Sequence, residues 1–132
     1  MSNRHASTVQ VVTIPPLDIN AVGTLLIYHL DNSVSTPAAL SPVQLEQFPL
    51  VDYFETNNPT DFTAAYAAIS SGMPRINLDP FFDARWGIIF LGSGRQRLLS
   101  VYMEDSGVRA AIEGAKVIFS NQALLSWLKK RF

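Results

Sequence analysis

The chain contains no cysteine. That absence excludes disulfides, thiolate zinc sites, iron–sulfur clusters and a cysteine nucleophile together. Histidine is scarce, with only His5 and His29, so a metal centre built on imidazoles lacks ligands, and no metal or other cofactor is expected. Charge is sparse too: 16% of the 132 residues are Asp, Glu, Lys or Arg, against about 25% in an ordinary globular protein. With 48% of residues hydrophobic, the composition is not that of a disordered chain. Long hydrophobic runs are missing from the N-terminal region. Val9, Val11, Val12 and Ile14 are interrupted by Gln10, Thr13 and Pro15-Pro16. The longest apolar stretch there, Leu25-Leu26-Ile27-Tyr28, falls far short of the roughly 20 residues a spanning helix needs. The expectation is therefore a cytoplasmic protein with neither secretory signal nor membrane partner. Basic excess is also lacking. The formal net charge is −1, which argues against a dedicated nucleic-acid binder.

What is present fits one domain over residues 1–132, with the polar segment Met1 to Thr8 expected to be disordered. Thr8 to Ile14 and Val22 to Leu30 read as strands. In the second, Thr24, Leu26, Tyr28 and Leu30 alternate with Leu25, Ile27 and His29. Ser41-Pro42-Val43-Gln44 is a helix start with a cap, a first-turn proline and a capping-box glutamine, and Pro49 ends that helix. Leu50 to Glu55 fits either a helical turn or a short strand. Asn58-Pro59-Thr60-Asp61 starts a second helix, in which Phe62, Ala65, Tyr66 and Ile69 form one apolar stripe. Gly72 and Pro74 end it.

The second half reads as a β-meander. Its strands are Arg75 to Leu78, Trp86 to Leu91, Arg95 to Met103, Val108 to Ile112 and Ala115 to Phe119. Gly92-Ser93-Gly94 is a hairpin loop whose glycines are free to take positive φ. In Arg95 to Met103, alternation puts Arg97 on the face of Leu99, Val101 and Met103. A helix over Val108–Ala115 competes with the hairpin about Glu113-Gly114. A last helix runs from about Gln122, with Leu124, Leu125, Leu128 and Phe132 as its apolar face. The expected fold class is α+β: an antiparallel sheet of five or six strands with two or three helices on one face.

Near-neutrality hides an asymmetry. Residues 1–74 hold one basic residue and six acids, a net of −5; residues 75–132 hold nine basic residues and five acids, a net of +4. On one reading the halves interleave in space and cancel, as charged runs usually form solvated faces. On the other, Glu46, Asp52, Glu55 and Asp61 gather near the two helix starts as an acidic patch that steers a basic partner. Tyr53 lies among them as an aromatic anchor.

Motifs that would carry chemistry are thin. His29 and Asp31 share a strand face and could orient an imidazole for acid–base work, but two residues do not make a triad. Asp79 and Asp83 could act as paired carboxylates, but a turn-forming Asp79-Pro80 followed by a second turn aspartate explains them without function. Gly92-Ser93-Gly94 lacks the lysine and helix of a phosphate loop. Arg95, Arg97 and Lys116 with Tyr102 offer a basic sheet face, without the paired aromatics that RNA-binding sheets use. No catalytic residue is assigned, and the chain is not expected to be an enzyme.

Three segments together resemble a known family: Phe82-Asp83-Ala84-Arg85-Trp86-Gly87, then Leu98 to Asp105, then Gly114 and the closing Leu124-Leu125-Ser126-Trp127-Leu128. They look like small α+β immunity proteins that accompany polymorphic toxins, including contact-dependent growth inhibition systems of Gram-negative bacteria. The resemblance is one of texture: hairpins, short turns and a terminal amphipathic helix. It implies a cytoplasmic, non-enzymatic bacterial protein that binds a cognate toxin domain and blocks its active site. Such toxins are commonly basic nucleases, which would suit Glu46, Asp52, Glu55 and Asp61. Two other classes stay open: a secretion chaperone or adaptor holding a partner segment on apolar surface, and a small enzyme or small-molecule binder using His29 and Asp31 or the Asp79/Asp83 pair.

Overall fold

A computed structural model describes residues 10–79 and 81–132. The expected disorder of Met1 to Thr8, and the first two residues of the Thr8 to Ile14 strand, lie outside them. The centre of the fold is set by the most apolar run in the chain. The segment Trp86–Gly92 is buried at every position, as a strand covered on both faces must be. In chain order the strands are β1 (Val22–His29), β2 (Asp52–Thr56), β3 (Arg75–Ile76), β4 (Trp86–Gly92), β5 (Arg97–Met103), β6 (Arg109–Ile112) and β7 (Ala115–Ile118). They form one antiparallel sheet in the order β2-β1-β4-β5-β6-β7-β3. The fold class is α+β. Among the described residues the sheet has seven strands and not five or six; Asp52–Thr56, which fitted either a helical turn or a strand, pairs with β1 as one of them.

The helices are α1 (Pro42–Gln47), α2 (Pro59–Ser70) and α3 (Gln122–Lys129). They do not share one face. Phe62, Ala65 and Ile69 of α2 and Leu124, Leu125 and Leu128 of α3 pack with Leu25, Ile27, Ile88, Phe90, Leu99 and Val101. Leu45 of α1 lies on the opposite face, with Leu26, Ile89, Leu91, Tyr102 and Ala111. The alternation read in β1 is what separates the two cores. Because β2 and β3 stand at opposite edges, the chain crosses the sheet between them, and α2 makes that crossing. Residues 10–21 run over the same side. Val12, Ile14, Leu17 and Ile19 pack on the larger core, Val11 bridges Arg75, and the Tyr66 hydroxyl donates to the Pro15 carbonyl at 2.8 Å. Among the described residues a single bridge thus stands where β-branched composition predicts the first strand.

Local chemistry accounts for the element ends. Ser41 and Gln44 form the reciprocal capping box, the Gln44 amide donating to Ser41 Oγ at 3.2 Å and the Ser41 amide to Gln44 Oε1 at 2.9 Å. Asn58 caps α2 through the Thr60 amide. Gly72 follows α2 without positive φ. A Cβ there would lie 2.3 Å from the Phe119 ring, so glycine is required by close approach. The β6–β7 turn has Glu113 at φ 49° and Gly114 at φ 83°, the two-residue turn that suits a hairpin's twist, and no helix forms over Val108–Ala115. In the β4–β5 hairpin it is Arg95, at φ 63°, and neither Gly92 nor Gly94, that takes the left-handed conformation.

One side chain joins two helices. Asn121 is 4% exposed. Its Oδ1 accepts from the Leu124 amide at 2.9 Å, capping α3, while its Nδ2 donates to the Ala68 carbonyl at 2.8 Å in the last turn of α2.

Candidate functional site

Strand pairing lines up two rows across the sheet, one on each face. On the α1 face, Tyr53 of β2 stands opposite Tyr28 of β1, which stands opposite Gly87 of β4, which stands opposite Tyr102 of β5. Gly87 makes the row possible: a Cβ there would lie 3.1 Å from the Tyr102 ring, so the ring rests on bare backbone. Glu46 reaches down from α1. Its carboxylate accepts from the Tyr102 hydroxyl and from both terminal nitrogens of Arg97, one of them at 3.1 Å. Arg97 also donates to the Tyr102 oxygen at 2.9 Å.

Arg97 is on this face because the β4–β5 register shifts between Phe90 and Leu91. The bulge sends Leu98 to the larger core and turns Arg97 over, opposite to the face that strict alternation assigns. At the outer end of the row the Tyr53 hydroxyl donates to Glu55. Arg95 stands 3.9 Å from that carboxylate.

The electrostatics follow from these bonds. Burial and the Glu46 carboxylate push the Tyr102 phenol up to about 12. The hydrogen bond to Glu55 does the same for Tyr53, to about 12. Tyr28 is raised by burial and by Glu46, and the Glu46 bond holds the Arg97 guanidinium even more firmly protonated than usual. All these groups keep fixed charge states at neutral pH. The result is a mixed-charge surface with Tyr53 half exposed and Arg95 and Arg97 similarly open. Val43, one turn before Glu46 on α1, and Leu50, just ahead of β2, are exposed as well. Among the described residues no strand pairs with the outer edge of β2.

The five residues expected to bind a partner divide three ways. Glu46, Tyr53 and Glu55 come together on this face. Asp61 lies apart, in the first turn of α2, where it accepts from Thr56 Oγ1 at 2.8 Å and faces Arg131 at 3.6 Å. Asp52 belongs to the second row, on the other face. Three of the four acids thus meet an arginine of the second half: Glu46 with Arg97, Glu55 with Arg95 and Asp61 with Arg131. The opposed halves of the sequence interleave and largely cancel. Arg95 and Arg97 are correspondingly matched by acids. Sequence reasoning missed Tyr28, Gly87 and Tyr102 as one row, because only register reveals it.

The second row runs Asp52, His29, Trp86, Met103. The His29 ring stacks on Trp86 with centroids 3.7 Å apart, and Phe132 stands tilted to His29 at 5.5 Å and edge-on to Trp86 at 5.7 Å. Asp31, Asp105 and Lys129 complete the walls of a cleft of about 490 Å³. Burial lowers the His29 pKa below its usual 6.5, against the pull of Asp31, Asp105 and Asp52 upwards, so the imidazole is neutral at pH 7. His29 and Asp31 line one cleft, with Asp52 as a third member that the sequence did not reveal.

The other candidate pair is used structurally. Asp79 accepts from the Phe81 amide at 3.0 Å and pairs with Arg109 at 3.2 Å. Asp83 accepts from the Leu40 amide at 2.8 Å and pairs with the buried Arg85 at 3.0 Å. Arg85 in turn donates to the carbonyls of Asp31 and Val34, pinning the 30–40 loop to the sheet. Among the described residues no group of three His, Asp or Glu side chains could hold a metal ion, and no helix is long and apolar enough to cross a membrane. Comparison with known proteins finds no family model that matches the chain, no similar curated protein and no similar solved structure.

Proposed function

We propose that this chain is a protein-binding inhibitor, of the kind that gives immunity by covering the working surface of a cognate toxin domain, and that it binds through the α1 face. One observation carries the reading. Tyr53, Arg97 and Arg95 stand exposed on this face, Tyr53 bonded to Glu55 and Arg97 to Glu46, and among the described residues no strand pairs with the outer edge of β2. Tyrosine and arginine dominate binding energy at protein interfaces, and side chains already fixed by hydrogen bonds lose less entropy on association. Because the acids are matched by arginines, this face suits a partner of mixed charge; uniform acidic steering of a basic nuclease is not its basis. The test is a pull-down against the product of the adjacent upstream gene, followed by Tyr53→Ala and Arg97→Ala. Each should weaken binding about tenfold or more. No binding, together with no toxin-like neighbour, sinks the reading.

A chaperone or adaptor is the second reading. It is favoured by Leu78, 91% exposed, near Met73 and Ile76 at the β3 edge, an apolar surface that could hold a partner segment. Light scattering separates the two: a stable dimer favours the chaperone, a monomer the inhibitor.

A further inference from the structure

β1 and β2 are antiparallel neighbours, with His29 directly opposite Asp52. Such a pair needs a connection of about two to five residues. Here it is residues 30–51, 22 residues of which six are helical. Connections beyond about 12–15 residues with little secondary structure are uncommon in compact domains and are typically lids or binding loops. This one has the topology of a flap. Both ends leave the sheet at one point, so lifting it breaks no pairing in the seven-stranded sheet. Its local hydrogen bonds join it into a unit: the Ser33 and Val34 amides donate to Asp31, and the Phe48 and Val51 amides to the Leu45 and Phe48 carbonyls. Bonds to the body gather at two latches. At the first, Arg85, 5% exposed, donates to the Asp31 and Val34 carbonyls, while its partner Asp83 accepts from the Leu40 amide and the Ala84 amide donates to the Leu40 carbonyl. At the second, Glu46 accepts from Arg97 and Tyr102. Leu40 and Leu45 are buried between them in the smaller core. Among the described residues the larger core takes nothing from 30–51.

We propose that residues 31–51 are a lid that opens as one unit when the two latches let go, while the seven strands, α2 and α3 stay folded on the larger core. Opening uncovers an apolar trough on the sheet, formed by Leu26, Ile89, Leu91 and the Tyr102 ring over the bare backbone of Gly87. A six-residue helix does not hold by itself, so a lifted lid gives up its amides to solvent. Arg97 belongs both to the second latch and to the face proposed for the partner, but the lid is a property of the free chain and is tested without a partner.

The experiment is hydrogen–deuterium exchange of the full-length chain, read residue by residue by NMR at rising urea below the unfolding transition. The amides of Val34, Leu40, Leu45 and Val51 should converge on one opening free energy and one urea slope, both smaller than those of the β4 and β5 amides. Glu46→Gln at one latch and Asp83→Asn at the other should each speed all four by about tenfold or more, including those beside the untouched latch. Ile69→Val, in α2 on the larger core, should speed the β4 and β5 amides several-fold and leave the four lid amides unchanged. Should a latch variant fail to fold, the wild-type urea slopes and Ile69→Val decide by themselves. The proposal is overturned if the lid amides exchange with the free energy and slope of β4, if Ile69→Val speeds them as much as β4, or if each latch variant speeds only the amides beside it.

Discussion

The two faces of the sheet bury their residues by different means. The face under α2 and α3 is a large apolar core, with Ile27, Ile88, Val101 and Leu128 fully shielded. The face under α1 is smaller, and its cover consists mostly of loop and one short helix. There, hydrogen bonds replace packing area. Glu46 ties α1 to Arg97 and Tyr102, and Arg85 with Asp83 ties the 30–40 loop to β4. A helix of six residues has little propensity to form alone, so polar anchoring is what holds it. One face therefore provides stability, while the other presents fixed polar groups to solvent.

The sharpest way to break this contrast is on the apolar side. Phe62→Ala should cost about 3–5 kcal/mol, the range for truncating a buried aromatic, read as a lower urea midpoint. Arg85→Ala should cost nearly as much for a different reason. It leaves Asp83 and the carbonyls of Asp31 and Val34 without their partner, and about 2–4 kcal/mol is expected because Asp83 keeps some contact with water. If Arg85→Ala proves neutral, polar groups do not anchor the α1 face.

Tyr102→Phe keeps the ring over Gly87 and removes only the hydroxyl, for about 1–1.5 kcal/mol. It also sharpens the contrast through pH. A phenol whose folded pKa lies near 12, above its ordinary 10, stabilises the fold fully below pH 10, and that contribution is lost as pH rises through 12. Wild type should lose stability in that window, and Tyr102→Phe should lose less. Arg95→Ala is the smallest expected effect. Its pair with Glu55 is long and exposed, so below about 0.5 kcal/mol is expected, vanishing in high salt.

These features were unequally legible in the sequence. Ser41-Pro42-Val43-Gln44 and Asn58-Pro59 announced their helices because caps are local chemistry. Glu113-Gly114 announced its turn for the same reason. Alternation in Val22 to Leu30 separated the two cores correctly. Placing α1 opposite α2 and α3 needed the crossing of the sheet between β2 and β3, which no local pattern carries. The face of Arg97 was misread because one bulge reverses a period of two. The acids near residues 46–61 are close in sequence, yet Asp52 faces one way and Glu55 the other, and the arginines they meet come from 40 to 70 residues downstream. Of the cleft, His29 and Asp31 were visible as a pair. Asp52, Trp86 and Asp105 arrive from three other segments, and only strand register brings them there.

Asn121 carries a consequence for how the molecule opens. Its one amide group serves the beginning of α3 and the end of α2 together. If either helix frays at that point, the other loses a buried hydrogen bond that water cannot readily replace. The two helix ends are thus tied to a single opening event. Backbone amides of the last turn of α2 and the first turn of α3 should exchange with solvent deuterium at matched rates, as one cooperative unit, and Asn121→Ala should let those rates separate.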